Sequence, residues 1–172
     1  PTKWADSSEW TIGTPDLIVS SPVITMPAVS ADYHDELGPV PTGLTEDRYI
    51  KAVEVKEVRL LDESAKAKVA EFVKSGSGYG RFSIHHLGIH TGDEYYASEE
   101  GRAQFRLTHE IGQNATFYPD EVGVILPAGS SLRFTTHYYA AGVEIPVRAD
   151  VGFKLHPKGY KPKYQSWEFG SI

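Results

Sequence analysis

Apolar and polar residues alternate with a period of two over much of this chain, the pattern of half-buried strands. Leu17 to Met26 supplies two short apolar runs, LIVS and VITM, split by Ser21-Pro22. Proline there restricts the segment to an edge strand or an irregular approach to a sheet. Residues 27–47 are turn-rich, with Pro27, Gly38-Pro39, Pro41-Thr42-Gly43 and the acidic pair Glu46-Asp47. Tyr49 to Leu61 alternates cleanly: Ile50, Ala52, Glu54, Lys56 and Val58 share one face, and Tyr49, Lys51, Val53, Val55 and Glu57 the other. Neither face is wholly apolar, which predicts a long, twisted strand that changes its buried side along its length.

Residues 62–74 (DESAKAKVAEFVK) break the β pattern. Asp62 can cap a helix, and Ala65, Val69, Phe72 and Val73 fall on one helical face. Lys74 and then Ser75-Gly76-Ser77-Gly78 close the element. Strand signals resume at Arg81–His90, followed by a polar loop over 91–104. Short segments come at Phe105–Leu107, Thr116–Tyr118 and Val122–Leu126, then the Pro127-Ala128-Gly129 turn, Leu132–Tyr139 and Val151–His156. The whole predicts an all-β chain, an antiparallel β-sandwich or jelly roll of about eight strands with one surface helix and no internal repeat. Residues 1–16 carry Trp4 and Trp10 and read as an arm docked on a single domain spanning 17–157. The segment 158–172 is a basic, aromatic tail, expected to cover a sheet edge or contact another domain.

At 172 residues and 19.0 kDa the chain is long enough to bury a core without staples. It needs none, because there is no cysteine. Disulfide scaffolds, thiolate zinc sites, iron–sulfur clusters and cysteine nucleophiles are thereby excluded. A net charge of −6, with no basic run, argues against nucleic acid or an anionic membrane as partner. The longest stretch free of charged residues, Leu17–Ala31, has 15 residues and two prolines, too short and broken to span a bilayer. A soluble globular domain is expected. With no initiating Met and no leader pattern before Pro1, the chain is expected to be processed, trimmed or part of a longer one.

Seven histidines are present, and three crowd together as His85, His86 and His90, with His137 in the middle of another strand. Neutral imidazole is the commonest protein ligand for zinc and copper, so two strands presenting His make a candidate metal site. Alternation puts His86, Gly88 and His90 on one face and His85, Leu87 and Ile89 on the other. A regular strand therefore favours His86 and His90 as co-ligands with His137. Binding by both His85 and His86 requires a bulge or bend, which Gly88 would make easier. The alternative is polar histidines on an open sheet face. Zinc and copper both stay open; the missing cysteine and the aromatics near His137 (Phe134, Tyr138, Tyr139) lean towards copper.

Other templates fit less well. There is no GxSxG, Walker loop or dinucleotide fingerprint. The Gly76–Gly80 run follows a helix rather than opening one. Glu46, Asp47, Glu99 and Glu100 read as solvated carboxylates, and Met26 is the only thioether in the chain.

Four blocks then occur in order: Pro41-Thr42-Gly43-Leu44-Thr45-Glu46-Asp47-Arg48-Tyr49 running on to Glu54; Ile84-His85-His86; Phe117-Tyr118-Pro119-Asp120 through Leu126-Pro127-Ala128-Gly129-Ser130 to Arg133-Phe134-Thr135-Thr136-His137-Tyr138; and Val151-Gly152-Phe153-Lys154 with His156-Pro157-Lys158-Gly159-Tyr160. Over roughly residues 10–165 the series resembles the bacterial copper type II, ascorbate-dependent monooxygenase-like domains. These are relatives of the peptidylglycine α-hydroxylating and dopamine β-monooxygenases. The resemblance implies a jelly roll holding one copper ion through His85, His86 and His137, with His90 as first substitute and Tyr138 and Tyr139 beside the ligands or at the surface. It also implies a periplasmic or extracellular location.

The chain departs from that pattern in three ways. Many bacterial relatives carry His-Tyr-His where this chain has His137-Tyr138-Tyr139, so a further ligand is missing. The helix over 62–74 looks like an insertion ahead of the histidine pair. The hydroxylases use two jelly rolls with a copper each, one with a Met ligand, and only one domain's worth of chain is present. Monooxygenase activity by this chain alone is therefore not expected. The first reading is a copper-binding module for electron transfer or copper holding, working with a redox protein or within a larger assembly. The alternatives are one half of a monooxygenase needing a partner domain, and a metal-free structural or interaction sandwich.

Overall fold

Residues 9–31, 33–75, 82–92, 105–140 and 142–166 are described by the structure, a computed structural model; the side chain of Phe72 lies outside the description. Eleven strands and one helix form among them: β1 (Leu17–Ser20), β2 (Ile24–Met26), β3 (Tyr33–Pro41), β4 (Arg48–Arg59), α1 (Glu63–Lys74), β5 (Ile84–Thr91), β6 (Arg106–Glu110), β7 (Ala115–Phe117), β8 (Val122–Leu126), β9 (Ser131–Tyr138), β10 (Ile145–Leu155) and β11 (Tyr164–Gln165). One sheet has the order β1-β10-β4-β8-β11, with β2 also on β10 and β7 on β4; the other has the order β3-β9-β5-β6. The described residues form an all-β sandwich with a single helix. No helix among the described residues is long and apolar enough to cross a membrane.

Alternation builds the core from both sheets. Val147, Ala149, Val151 and Phe153 of β10 turn inward, as do Leu132, Phe134 and Tyr138 of β9 and Leu87 and Ile89 of β5. Phe105, at the mouth of β6, meets the Phe153 ring edge-on with centroids 5.4 Å apart. Strand β4 changes its buried side as its pattern predicts, and a bulge does it. Lys154 lies opposite Ala52 but Leu155 lies opposite Ile50, so β4 carries one extra residue there. Ile50 before the bulge and Val53 and Val55 after it thus all reach the core.

The helix follows its sequence signals. Asp62 accepts the Ala65 N–H at 2.7 Å as N-cap, and Ser75 closes the C-terminus. Val69 of its apolar face is buried in the core, and Val73 packs against it.

Both flanking segments touch the first sheet. Glu54 is buried on its outer side, accepting the Ile12 N–H at 3.1 Å and the Thr11 hydroxyl at 3.4 Å. Trp10 lies over Gly152, where a Cβ would come within 2.6 Å of the indole. At the other end, β11 adds to β8 in parallel. Tyr160 stacks on the buried His156 with ring centroids 3.9 Å apart.

The sequence reads residues 27–47 as turns, yet they contain β3, a nine-residue edge strand. Its outer position explains the missed signal: an edge strand with most residues exposed needs no apolar alternation, and proline's missing N–H does no harm there. The register with β9 shifts between Leu37 and Val40, where Gly38-Pro39 sits. Gly38 has φ +112°, and a side chain on it would meet the Leu132 carbonyl oxygen at 2.8 Å, so only glycine fits. The remaining strands added to the sequence count are short, and β10 begins at Ile145 rather than at Val151.

Two truncations separate core from periphery. Phe153→Ala should cost about 3–5 kcal/mol, whereas Asp62→Ala, which removes only a cap, should cost about 1 kcal/mol. Urea unfolding of both variants checks the ordering; equal losses would contradict the assignment of Phe153 to the core.

Candidate metal centre

The two histidine-bearing strands are neighbours. β5 pairs with β9 so that Ile84 faces Tyr138 and His86 faces His137, and the register shifts between Ile84 and His86. His85 is the extra residue of a bulge, so His85 and His86 together confront one position on β9. Alternation on β9 sends Phe134, Thr136 and Tyr138 into the sandwich and leaves His137 on the outward side. All three imidazoles are half-buried, and their ligand atoms lie within 4.8 Å of one another, a group that could hold a metal ion.

His137 Nδ1 stands 3.3 Å from His85 Nδ1 and 3.2 Å from His86 Nδ1. Nitrogens bound tetrahedrally to one ion at 2.0–2.1 Å are about 3.3 Å apart, the spacing of His137 Nδ1 from each of its two neighbours. The proton count points the same way. His86 Nε2 lies 2.6 Å from Glu110 Oε2, a contact that calls for an Nε2–H and leaves Nδ1 of the neutral ring as a lone pair. His137 Nδ1 has at most one proton to offer two neighbouring nitrogens. A cation, by contrast, is satisfied by all three lone pairs, with Glu110 orienting one ligand as metal-bound histidines commonly require.

Other rings enclose the cluster. His34 of β3, directly opposite His137 in register, stacks on it with centroids 4.2 Å apart and planes 10° apart. Tyr139 lies 4.6 Å and Phe82 6.4 Å from the His85 ring, centroid to centroid. Sequence reasoning singled out neither His34 nor Glu110. His34 sits in the segment read as turns, and Glu110 becomes visible only once β6 is registered against His86.

The other candidate residues lie apart from the cluster. His90 shares the outward face with His86, as alternation requires, but four residues along a strand is about 13 Å. It is fully buried, facing Arg133 on β9 and Arg106 on β6, and is not part of the group that could hold an ion. The expectation of His90 as co-ligand fails on that distance. Of the aromatics near His137 in sequence, Phe134 and Tyr138 are buried in the core, and burial pushes the Tyr138 phenol up to about 12. Only Tyr139 borders the ligands. Met26 is fully buried in the core. Glu46 pairs with Lys158 at 2.6 Å, and Asp47 accepts the Ala128 N–H at 2.8 Å. Gly76–Gly80, Glu99 and Glu100 lie outside the described residues.

Comparison with family models, with curated proteins and with solved structures returns no match. Fold and geometry together define the class: a β-sandwich that carries a three-imidazole centre on the outward side of one sheet.

Three imidazoles outside the cluster bear on acid stability. Burial holds His90, His109 and His156 below the ordinary imidazole range. Each therefore takes up a proton more readily in the unfolded chain, whose value is about 6.5. The native state is fully favoured above that pH and loses stability as the pH falls through and below it. In chelator-treated buffer Tm should drop between pH 7.5 and 5.5. His156→Phe, which removes one of the three groups, should flatten that slope; an unchanged slope would contradict the role of His156.

Proposed function

We propose that this domain binds one copper ion through Nδ1 of His85, His86 and His137 and serves as an electron-transfer or copper-holding module. The observation that carries the reading is the spacing of the three donors on two paired strands. Imidazole suits zinc, copper, iron and nickel alike, and among divalent ions copper is bound most tightly by a given nitrogen site. The ordered blocks that resemble the copper monooxygenase-like domains favour the same metal. When bound, the ion would supply a one-electron couple.

The chain's own residues hold the donors in place for it. His86 and His137 are fixed by strand pairing, His85 by the bulge just before His86, and Glu110 holds the Nε2–H of His86. A ligand set held by a sheet moves little between two charge states, which suits electron transfer more than bond-making.

Copper(II) titration followed by electron paramagnetic resonance tests this, with zinc as competitor. One tight equivalent with nitrogen hyperfine structure is expected, lost in His137→Ala. Glu110→Ala should weaken binding about 10- to 100-fold while keeping the three nitrogens. Weak binding indifferent to His137→Ala would overturn the reading and favour a structural sandwich, and tight displacement of copper by zinc would overturn the choice of metal.

A further inference from the structure

One contact near the centre comes from the opposite sheet. Glu57 of β4 directs Oε2 at two consecutive backbone amides, accepting the N–H groups of Ser83 and Ile84 at 2.8 Å each. Its Oε1 takes the Arg59 guanidinium, and both side chains are 18% exposed. Ser83 is held from the other side as well, its carbonyl accepting the Tyr139 N–H at 2.8 Å.

In an extended strand, consecutive N–H groups point to opposite sides, so a single oxygen cannot accept two in succession. Double acceptance by Glu57 requires the chain to leave extended geometry just before His85, which is where the register of β5 against β9 shifts. Without that acceptor, the two amides must find partners of their own, because a buried N–H is not left unpaired. The partners on offer are those of a regular ladder. A regular ladder returns His85 to the face of Leu87 and Ile89, towards the core and away from His86.

We infer that Glu57 is the positioning residue of the metal centre: its carboxylate, fixed by Arg59, locks the bulge that brings His85 alongside His86 and His137. This rests on the copper reading above for its metal readout, but its geometric content stands without the metal.

Two conservative variants separate reach from charge. Glu57→Asp keeps the charge but draws the oxygens back by one methylene; Glu57→Gln keeps the reach and one acceptor oxygen. With copper(II) as probe, Glu57→Asp should lose about 10- to 100-fold in affinity and one nitrogen from the hyperfine pattern, while Glu57→Gln keeps all three. Asp62→Ala, destabilised far from the site, should keep native affinity, so that lost stability alone does not explain the effect. In the metal-free protein, nuclear Overhauser contacts between the His85 and His137 rings should appear in the native chain and in Glu57→Gln and vanish in Glu57→Asp. Native affinity, three nitrogens or retained ring contacts in Glu57→Asp would overturn the role of Glu57. If the native chain binds no copper yet the ring contacts follow the variants as expected, the copper reading fails and the positioning role stands.

Discussion

Neighbouring side chains on a β-strand face opposite ways, and this rule decides whether His85 and His86 can act together. In an unbroken strand one of them would enter the core beside Leu87 and Ile89. The register shift between Ile84 and His86 suspends the rule for one residue, and both rings then meet His137. Ring contacts, donor spacing and the proton arrangement all follow from that local break. β-Bulges recur beside functional sites because they re-aim a side chain without disturbing the rest of the sheet. Here the strand resumes ordinary pairing at once, with Leu87 opposite Thr136 and Ile89 opposite Phe134.

The electrostatic setting is economical. Imidazole binds a metal in its neutral form and brings no charge to it, and Glu110, at hydrogen-bond distance from His86, is half exposed. A site of that kind balances a small positive charge without burying an unpaired anion when no ion is present. The outward side of the sheet matters for the same reason. Groups that remain partly hydrated can be desolvated by an arriving ion, whereas a cluster in the core would have lost its hydration on folding. His90 illustrates the contrast: it shares the alternation of His86, yet full burial between two arginine-bearing strands holds it below the ordinary imidazole range.

Much of this was legible in the sequence because local rules and tertiary structure agree. Val122–Leu126 is a strand with the bounds its pattern implies, Asp62 caps the helix, and the mixed faces of β4 foretell its change of buried side. β3 was hidden because an exposed edge strand needs no apolar face, and its Gly-Pro step reads as a turn. His34 was hidden with it, since its place beside His137 exists only through the pairing of β3 with β9. Glu110 and Glu57 act across sequence gaps of 24 and 26 residues or more, on His86 and on Ser83 respectively, and no local pattern marks such contacts. The spacing of His86 and His90 misled for a simpler reason. Sharing a face does not bring residues within reach: a strand separates positions four apart by about 13 Å, whereas partners on adjacent strands lie about 5 Å apart.

The order of events between folding and metal binding follows from where the stabilising area lies. In small zinc domains the ion supplies the folding free energy, because there is too little core without it. Here the apolar cluster draws on both sheets, from Val19 and Met26 through Leu87 and Phe134 to Phe153, and none of its members is a ligand. The core therefore draws nothing from the three imidazoles, which already lie close enough together to hold an ion. Little ordering entropy then remains to be lost on binding, so affinity is governed by donor chemistry and by how firmly the bulge is held. The metal in turn stabilises the domain only by mass action, in proportion to the logarithm of its concentration over its dissociation constant. Any ion held there could therefore leave without unfolding the sandwich that presents the ligands.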